Sequence, residues 1–408
     1  MDDQAARQLH NHPRTERTPW GLLLLLMALT SIGPTTLNIV VPALPTLAKR
    51  LAADGGTVQL IVSIYLLAMA AGQLLMGSLS DRFGRRPVLI AALLVTACAS
   101  VSAVLISTVQ SLIVARVLQA IGASAGVVVS RAIIRDLFDR NRAASTLGLV
   151  ATVMAVVPTL SPLIGGLLET GFGWEAIFIF TAVTSALAVT WAAITLPETR
   201  GLNAPQGARQ GFFRDLAQLA QSARFSGYVL AGAFGSATFY AFLGGGAHVV
   251  ITLMARSPAE YGIWFAMSSI GYIAGNFISS RLSGRYGIHR MIWSGIIVEV
   301  VGVTLSTVLT AFALHWGPFI VFVPQMIVNL GNGLLLPGAI AGAVSVRPQA
   351  AGTAAGITGF TQMALGALIA QYAGTLMAGA PSALPLSFLM NALVAVLVIS
   401  FAALVRRP

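Results

Sequence analysis

Twelve times along this chain a run of apolar residues is long enough to cross the hydrocarbon core of a bilayer, which takes about 20 residues in a helix. The runs cover approximately residues 20–45, 57–79, 87–108, 110–134, 144–168, 174–196, 226–250, 260–282, 290–313, 316–346, 352–377 and 383–405. Charged residues are only 9% of the 408, against 56% hydrophobic. A soluble domain carries roughly 25% charged residues, so this chain cannot clothe itself in a solvated surface. Most links between runs are short, and neighbouring helices therefore run antiparallel. The first run is too long for a cleaved leader and lacks a small-residue cleavage site before it, so it reads as a retained span.

A second feature divides the array. The word Leu79-Ser80-Asp81-Arg82-Phe83-Gly84-Arg85-Arg86 recurs, worn, as Leu282-Ser283-Gly284-Arg285-Tyr286-Gly287-Ile288-His289, 203 residues on. Each copy sits in a short charged loop between two apolar runs. A membrane chain built of two like halves is the pattern of a secondary transporter. The expected layout is a tail over 1–19, a six-helix half over 20–196, a polar linker over 197–225, and a second six-helix half over 226–408.

The net charge of +11 does not point to nucleic acid. With the N-terminus placed inside, twenty of the 24 basic residues fall in inside segments, Arg131 and Arg135 among them. Only Lys49, Arg50 and Arg256 fall outside, and Arg116 lies within the fourth span. That asymmetry predicts both termini on the cytoplasmic side. Cys98 is the only cysteine and reads as buried apolar filler. No phosphate-binding Gly-Lys-Ser/Thr loop and no His/Cys/acid group with metal spacing is present, so neither ATP chemistry nor a metal centre nor enzymatic catalysis is expected.

At this point the motifs resemble a known family. The loop Gly77–Arg86, with Asp81, Arg82, Gly84, Arg85 and Arg86, is similar to the hallmark loop of the major facilitator superfamily. Arg116-Val-Leu-Gln119-Ala-Ile-Gly122 resembles that superfamily's second motif, and Pro158-Thr-Leu-Ser161-Pro162-Leu-Ile-Gly165-Gly166 its antiporter motif, with Ser161 where the pattern has Gly. More narrowly, Asn38–Pro45 and Ala351–Ala354 resemble the bicyclomycin/chloramphenicol-resistance (Bcr/CflA) drug exporters of bacterial inner membranes. The resemblance spans essentially the whole chain. It implies an all-α membrane protein with the major facilitator fold, twelve transmembrane helices in two pseudo-symmetric halves. It also implies proton-coupled efflux of small molecules by a monomer that needs lipid but no cofactor. One departure matters: Asn38 stands where those exporters carry an acid, and Asn cannot titrate.

The residues assigned to the mechanism follow. Arg116 is costly in mid-span, at least about 2.5–3.5 kcal/mol on insertion scales, so it is expected to face a cavity and hold an anionic group, with Gln119 on its helix face. Asn38, Tyr240, Gln325, Asn329 and Asn332 complete the expected cavity lining, together with the aromatics Phe239 and Phe242. Asp81, Arg85 and Asp136 form an expected charge cluster. In resembling proteins this loop latches one conformational state, its Asp facing the start of the eleventh span near Gly352. Pro158, Pro162, Gly165 and Gly166 are expected to kink and seal an interdomain surface. Glu299, the only mid-span acid, is the candidate proton carrier, although the ninth span is peripheral in the resembling fold. Glu169, Glu175 and His248 read as interfacial. Three alternatives stay open: an uncoupled facilitator, an importer, and a non-transporting membrane sensor.

Overall fold

The computed structural model describes residues 20–138, 140–199, 217–313 and 317–405. The N-terminal tail, most of the linker and Arg406–Arg407 lie outside these. Among the described residues the structure is helical and contains no strand. Twelve long helices follow in order: α1 Trp20–Asn38, α2 Gly55–Phe83, α3 Arg85–Val104, α4 Val109–Leu137, α5 Arg140–Phe172, α6 Glu175–Thr195, α7 Ala223–Ala247, α8 Pro258–Tyr286, α9 Ile288–Ala313, α10 Phe319–Ser345, α11 Ala351–Met377 and α12 Leu384–Leu404. Eleven are apolar enough to cross a membrane by length and composition. The other, α8, has the length, but Ser268, Ser269, Asn276, Ser279, Ser280 and Arg281 dilute its hydropathy.

Local chemistry sets the helix ends. Asp54, Thr108, Ser222 and Ser257 each cap a helix by accepting from the backbone N–H three residues on. The two copies of the charged word end α2 and α8 alike. Gly84 (φ 105°) and Gly287 (φ 80°) take backbone conformations closed to most side chains and donate to Ser80 and Ser283. The first predicted span is broken: α1 stops at Asn38, after Pro34, and a short 3-10 turn (Val41–Ala43) leads into the helix Leu44–Arg50. The tenth stays continuous through Pro324 and Pro337.

Packing repeats with a period of six helices. In the first half α4 packs on α1, α2 and α3, and α6 packs on α3; in the second, α10 packs on α7, α8 and α9, and α12 on α9. Individual positions match as well. A Cβ on Gly122 of α4 would strike Ala92 and Thr96 of α3, and one on Gly331 of α10 would strike Gly295 and Glu299 of α9. Two seams join the halves, α5 against α8 and α2 against α11, and each is the other shifted by six helices. Large apolar side chains such as Phe172, Leu187, Ile194, Phe312 and Leu368 are exposed, the surface a bilayer would cover. Cys98 is exposed too. Its burial was wrongly expected, because apolarity along a membrane helix does not separate the lipid-facing side from the core.

Candidate functional site

A cavity of about 750 Å³ lies between the halves. Asn38 (α1), Gln73 (α2), Ser236 and Tyr240 (α7), Ser269 and Tyr272 (α8), Asn329 and Asn332 (α10) and Gln362 (α11) supply its polar wall. Met69, Met154, Met363, Phe239 and Phe360 supply much of the apolar wall. No carboxylate lines it among the described residues. Asn38 donates to Pro34 O at 2.8 Å, a carbonyl of the end turn of α1. Asn332 donates to Thr238 Oγ1 at 3.1 Å. One amide atom of each of Asn38, Asn332 and Gln362 is buried without a partner.

The cavity is sealed at one end and open at the other. At the sealed end a Cβ on Gly165 would lie 2.0 Å from Ile39 O, and one on Gly166 would lie 2.2 Å from Pro258 O. Gly262 of α8 answers by sitting against Pro162 O. Only glycine permits backbones this close. The other seam closes at the same end: Gln371 of α11 donates to Gly56 O at 2.8 Å and accepts from Ser63 at 2.6 Å. At the open end, which carries the Gly77–Arg86 loop, open space surrounds Gly352, Gly356 and Gly359 of α11.

The charged loop is tied to its own half. Arg85 donates through Nη1 to Asp81 (2.5 Å) and Ser80 (2.8 Å), and through Nε to Asp136 (3.1 Å). Asp136 also accepts from Thr199 at 3.2 Å. Glu198 accepts from the backbone N–H of Arg85 (2.9 Å) and Arg86 (3.2 Å), capping α3. A side chain at Gly84 would collide with that carboxylate. Arg86 donates to Ala193 O, and Arg82 lies over the Phe83 ring. Gly77 leaves α2 in ordinary contact with Val128 of α4. Asp81 therefore meets Arg85 here rather than the start of α11.

The same arrangement of two halves is found among known proteins. A model of the Major Facilitator Superfamily matches residues 23–255. The chain belongs to that superfamily. It is 30% identical to multidrug resistance protein D of Escherichia coli K12, over 84% of this chain and 85% of that one. It is 26% identical to a bicyclomycin resistance protein homolog of Haemophilus influenzae, over 96% and 98%. Its fold matches a D-xylose–proton symporter with a TM-score of 0.75 at 12% identity, covering 94% of this chain and 97% of that one. As a major facilitator protein it is a multi-pass membrane transporter and not an enzyme.

Several expected positions move. Arg116 is 1% exposed and does not line the cavity. It donates to Thr36 O (2.9 Å), Ile61 O (3.0 Å) and Gln119 Oε1 (3.0 Å), and its guanidinium lies 4.2 Å from the Tyr65 ring centroid. Gln119 passes the chain on to Ser100 of α3 at 2.8 Å. Thr36 is among the last carbonyls of α1, which a helix leaves unsatisfied, so the cation caps the break in α1 from behind the cavity wall. Gln325 also sits behind the wall, donating to Asn329 at 3.1 Å, and Phe242 is core. Glu299 is fully buried, its carboxyl unpartnered, against α10 on the side away from the cavity. Ser161 is spent on Val157 O, and Pro158 reaches the cavity. Glu169 is buried rather than interfacial. Gln73, Tyr272, Gln362, Glu198 and the cavity-lining Arg131 and Arg135 were not among the assigned site residues. Glu198 is 113 residues from its partner, and no sequence period links them.

Proposed function

We propose that the protein exports small molecules across the bacterial inner membrane by alternating access, driven by proton influx, as a monomer with both termini in the cytoplasm. One observation carries the reading: a largely apolar cavity with a few placed polar groups, between two like halves, is closed by two symmetry-related seams at one end only. With the arginine-rich end taken as cytoplasmic, this conformation is inward-open and ready to load from inside. The Asp81–Arg85–Asp136 cluster is the latch: in the opposite state Asp81 exchanges Arg85 for the N-terminal end of α11, whose partial positive charge favours an anion. The names of the relatives support drug-like cargo.

A second reading has its own observation. Asn38 replaces the expected acid, Glu299 is remote, and among the described residues no carboxylate reaches the cavity, which favours an uncoupled facilitator. Chloramphenicol accumulation in everted vesicles separates the two. Uphill accumulation abolished by an uncoupler supports proton-driven export. Transport that never runs uphill and ignores the uncoupler supports the facilitator, and no transport of any compound in a drug panel overturns both.

A further inference from the structure

We infer that Arg131 and Arg135 form a binding site for the acidic group of an amphipathic organic anion, whose apolar body fills the cavity above them. The inference deepens the transport reading and rests on it. The two arginines are four residues apart on α4, hence on one helix face, and both line the cavity. The basic residues of the adjoining loop are engaged, Arg85 by two carboxylates, Arg86 by a backbone carbonyl and Arg82 by a ring. Among the described residues Arg131 hydrogen-bonds only to the thioether of Met154, at 3.5 Å. Neither it nor Arg135 has a carboxylate partner among the described residues.

Two like charges held at this spacing repel each other, and an anion between them relieves that. Guanidinium groups grip carboxylate, phosphonate or sulfonate oxygens through paired donors. A purely topological charge has no need to face the cavity. Farther in, the unpartnered amide atoms of Asn38, Asn332 and Gln362 offer neutral hydrogen-bonding positions. Met69 and Phe239 supply an adaptable apolar wall. Among the described residues the cavity wall offers lipophilic cations no counter-charge.

Three probes with one aromatic body separate the charge: indole-3-acetate, indole-3-acetamide and tryptamine. Binding is measured to the full-length protein in phosphatidylcholine nanodiscs. The expected result is that the acetate binds at least tenfold more tightly than the acetamide, and tryptamine more weakly than either. R131Q/R135Q should collapse the acetate-to-acetamide ratio toward one. Because the readout is a ratio on one sample, partial loss of folded protein does not alter it. R131K/R135K keeps the charge and loses the paired donors, and should give an intermediate ratio. Equal binding of acetate and acetamide by the parent, an unchanged ratio in R131Q/R135Q, or no indole binding would each overturn the site. Loss of acetate binding in phosphatidylglycerol nanodiscs would assign the arginines to a lipid headgroup and overturn the cargo role. Chloramphenicol is uncharged, so its efflux tests the export reading separately from the anion site.

Discussion

At the scale of single residues, burial and partners decide which polar side chains act. Arg116 is held by three acceptors and an aromatic face, so its work is to join α1, α2 and α4. Arg116→Ala strands the Thr36 carbonyl and the Gln119 amide oxygen, each at about 1–3 kcal/mol, while the mid-helix Ile61 carbonyl keeps its bond within α2. The expected result is a fall in thermal stability and in membrane abundance, while the surviving protein keeps its ligand affinity. Full abundance with lost binding would return Arg116 to the cavity. Glu299 is the opposite case, a buried carboxyl with no partner. Burying a polar group without a hydrogen bond costs about 1–3 kcal/mol in protein mutational data. Glu299→Met keeps the stem that lies over Gly331, and should raise the melting temperature with uphill transport unchanged. Collapse of coupling in that variant would make Glu299 the proton carrier after all. The sequence showed both residues as anomalies, yet gave Arg116 the wrong side. An α-helix apolar all round has no polar face from which to read direction, and the Thr36, Ile61 and Tyr65 partners are more than 50 residues away.

At the scale of helices, glycine placement sets how closely the halves meet. Gly166 meets the other half as the motif leads one to expect, whereas Gly165 packs on Ile39 of its own half, the tight packing that the same glycines also allow. Their partners, Ile39 on the broken end of α1 and Pro258 at the start of α8, were not legible in the sequence. The break after Pro34 was masked by an apolar sequence that runs straight through it. Gly166→Ala sets a methyl 2.2 Å from a backbone carbonyl, a clash no rotamer relieves. It should loosen the sealed end, lower transport, and raise thiol labelling at an introduced I39C, buried at that end, in a Cys98→Ala background. Unchanged labelling and transport would mean that α5 and α8 slide apart at no cost.

At the scale of the whole molecule, the repeat was the most informative part of the sequence. The 203-residue offset between Gly84 and Gly287 reappears as two helix ends with the same backbone turn, and the packing repeats every six helices. Asymmetry was legible too, because Gly284 and Ile288 replace the ion-pairing Asp81 and Arg85. What the sequence could not place is the cavity floor, because helix rotation is set by packing between halves and not by local periodicity. The facing of Arg131 and Arg135 toward the cavity is of that kind. The central claim, that two rigid halves rock about this cavity, makes the two ends move oppositely. The direct test is a pair of spin-label distance measurements on the Cys98→Ala protein in nanodiscs. One pair, S78C/G352C, spans α2 and α11 at the open end; the other, G171C/R256C, spans α5 and the link leading into α8 at the sealed end. Adding transported substrate or shifting pH should shorten the first distance in the same population that lengthens the second. Distances that stay fixed under all conditions, or that change together in one direction, would contradict the account.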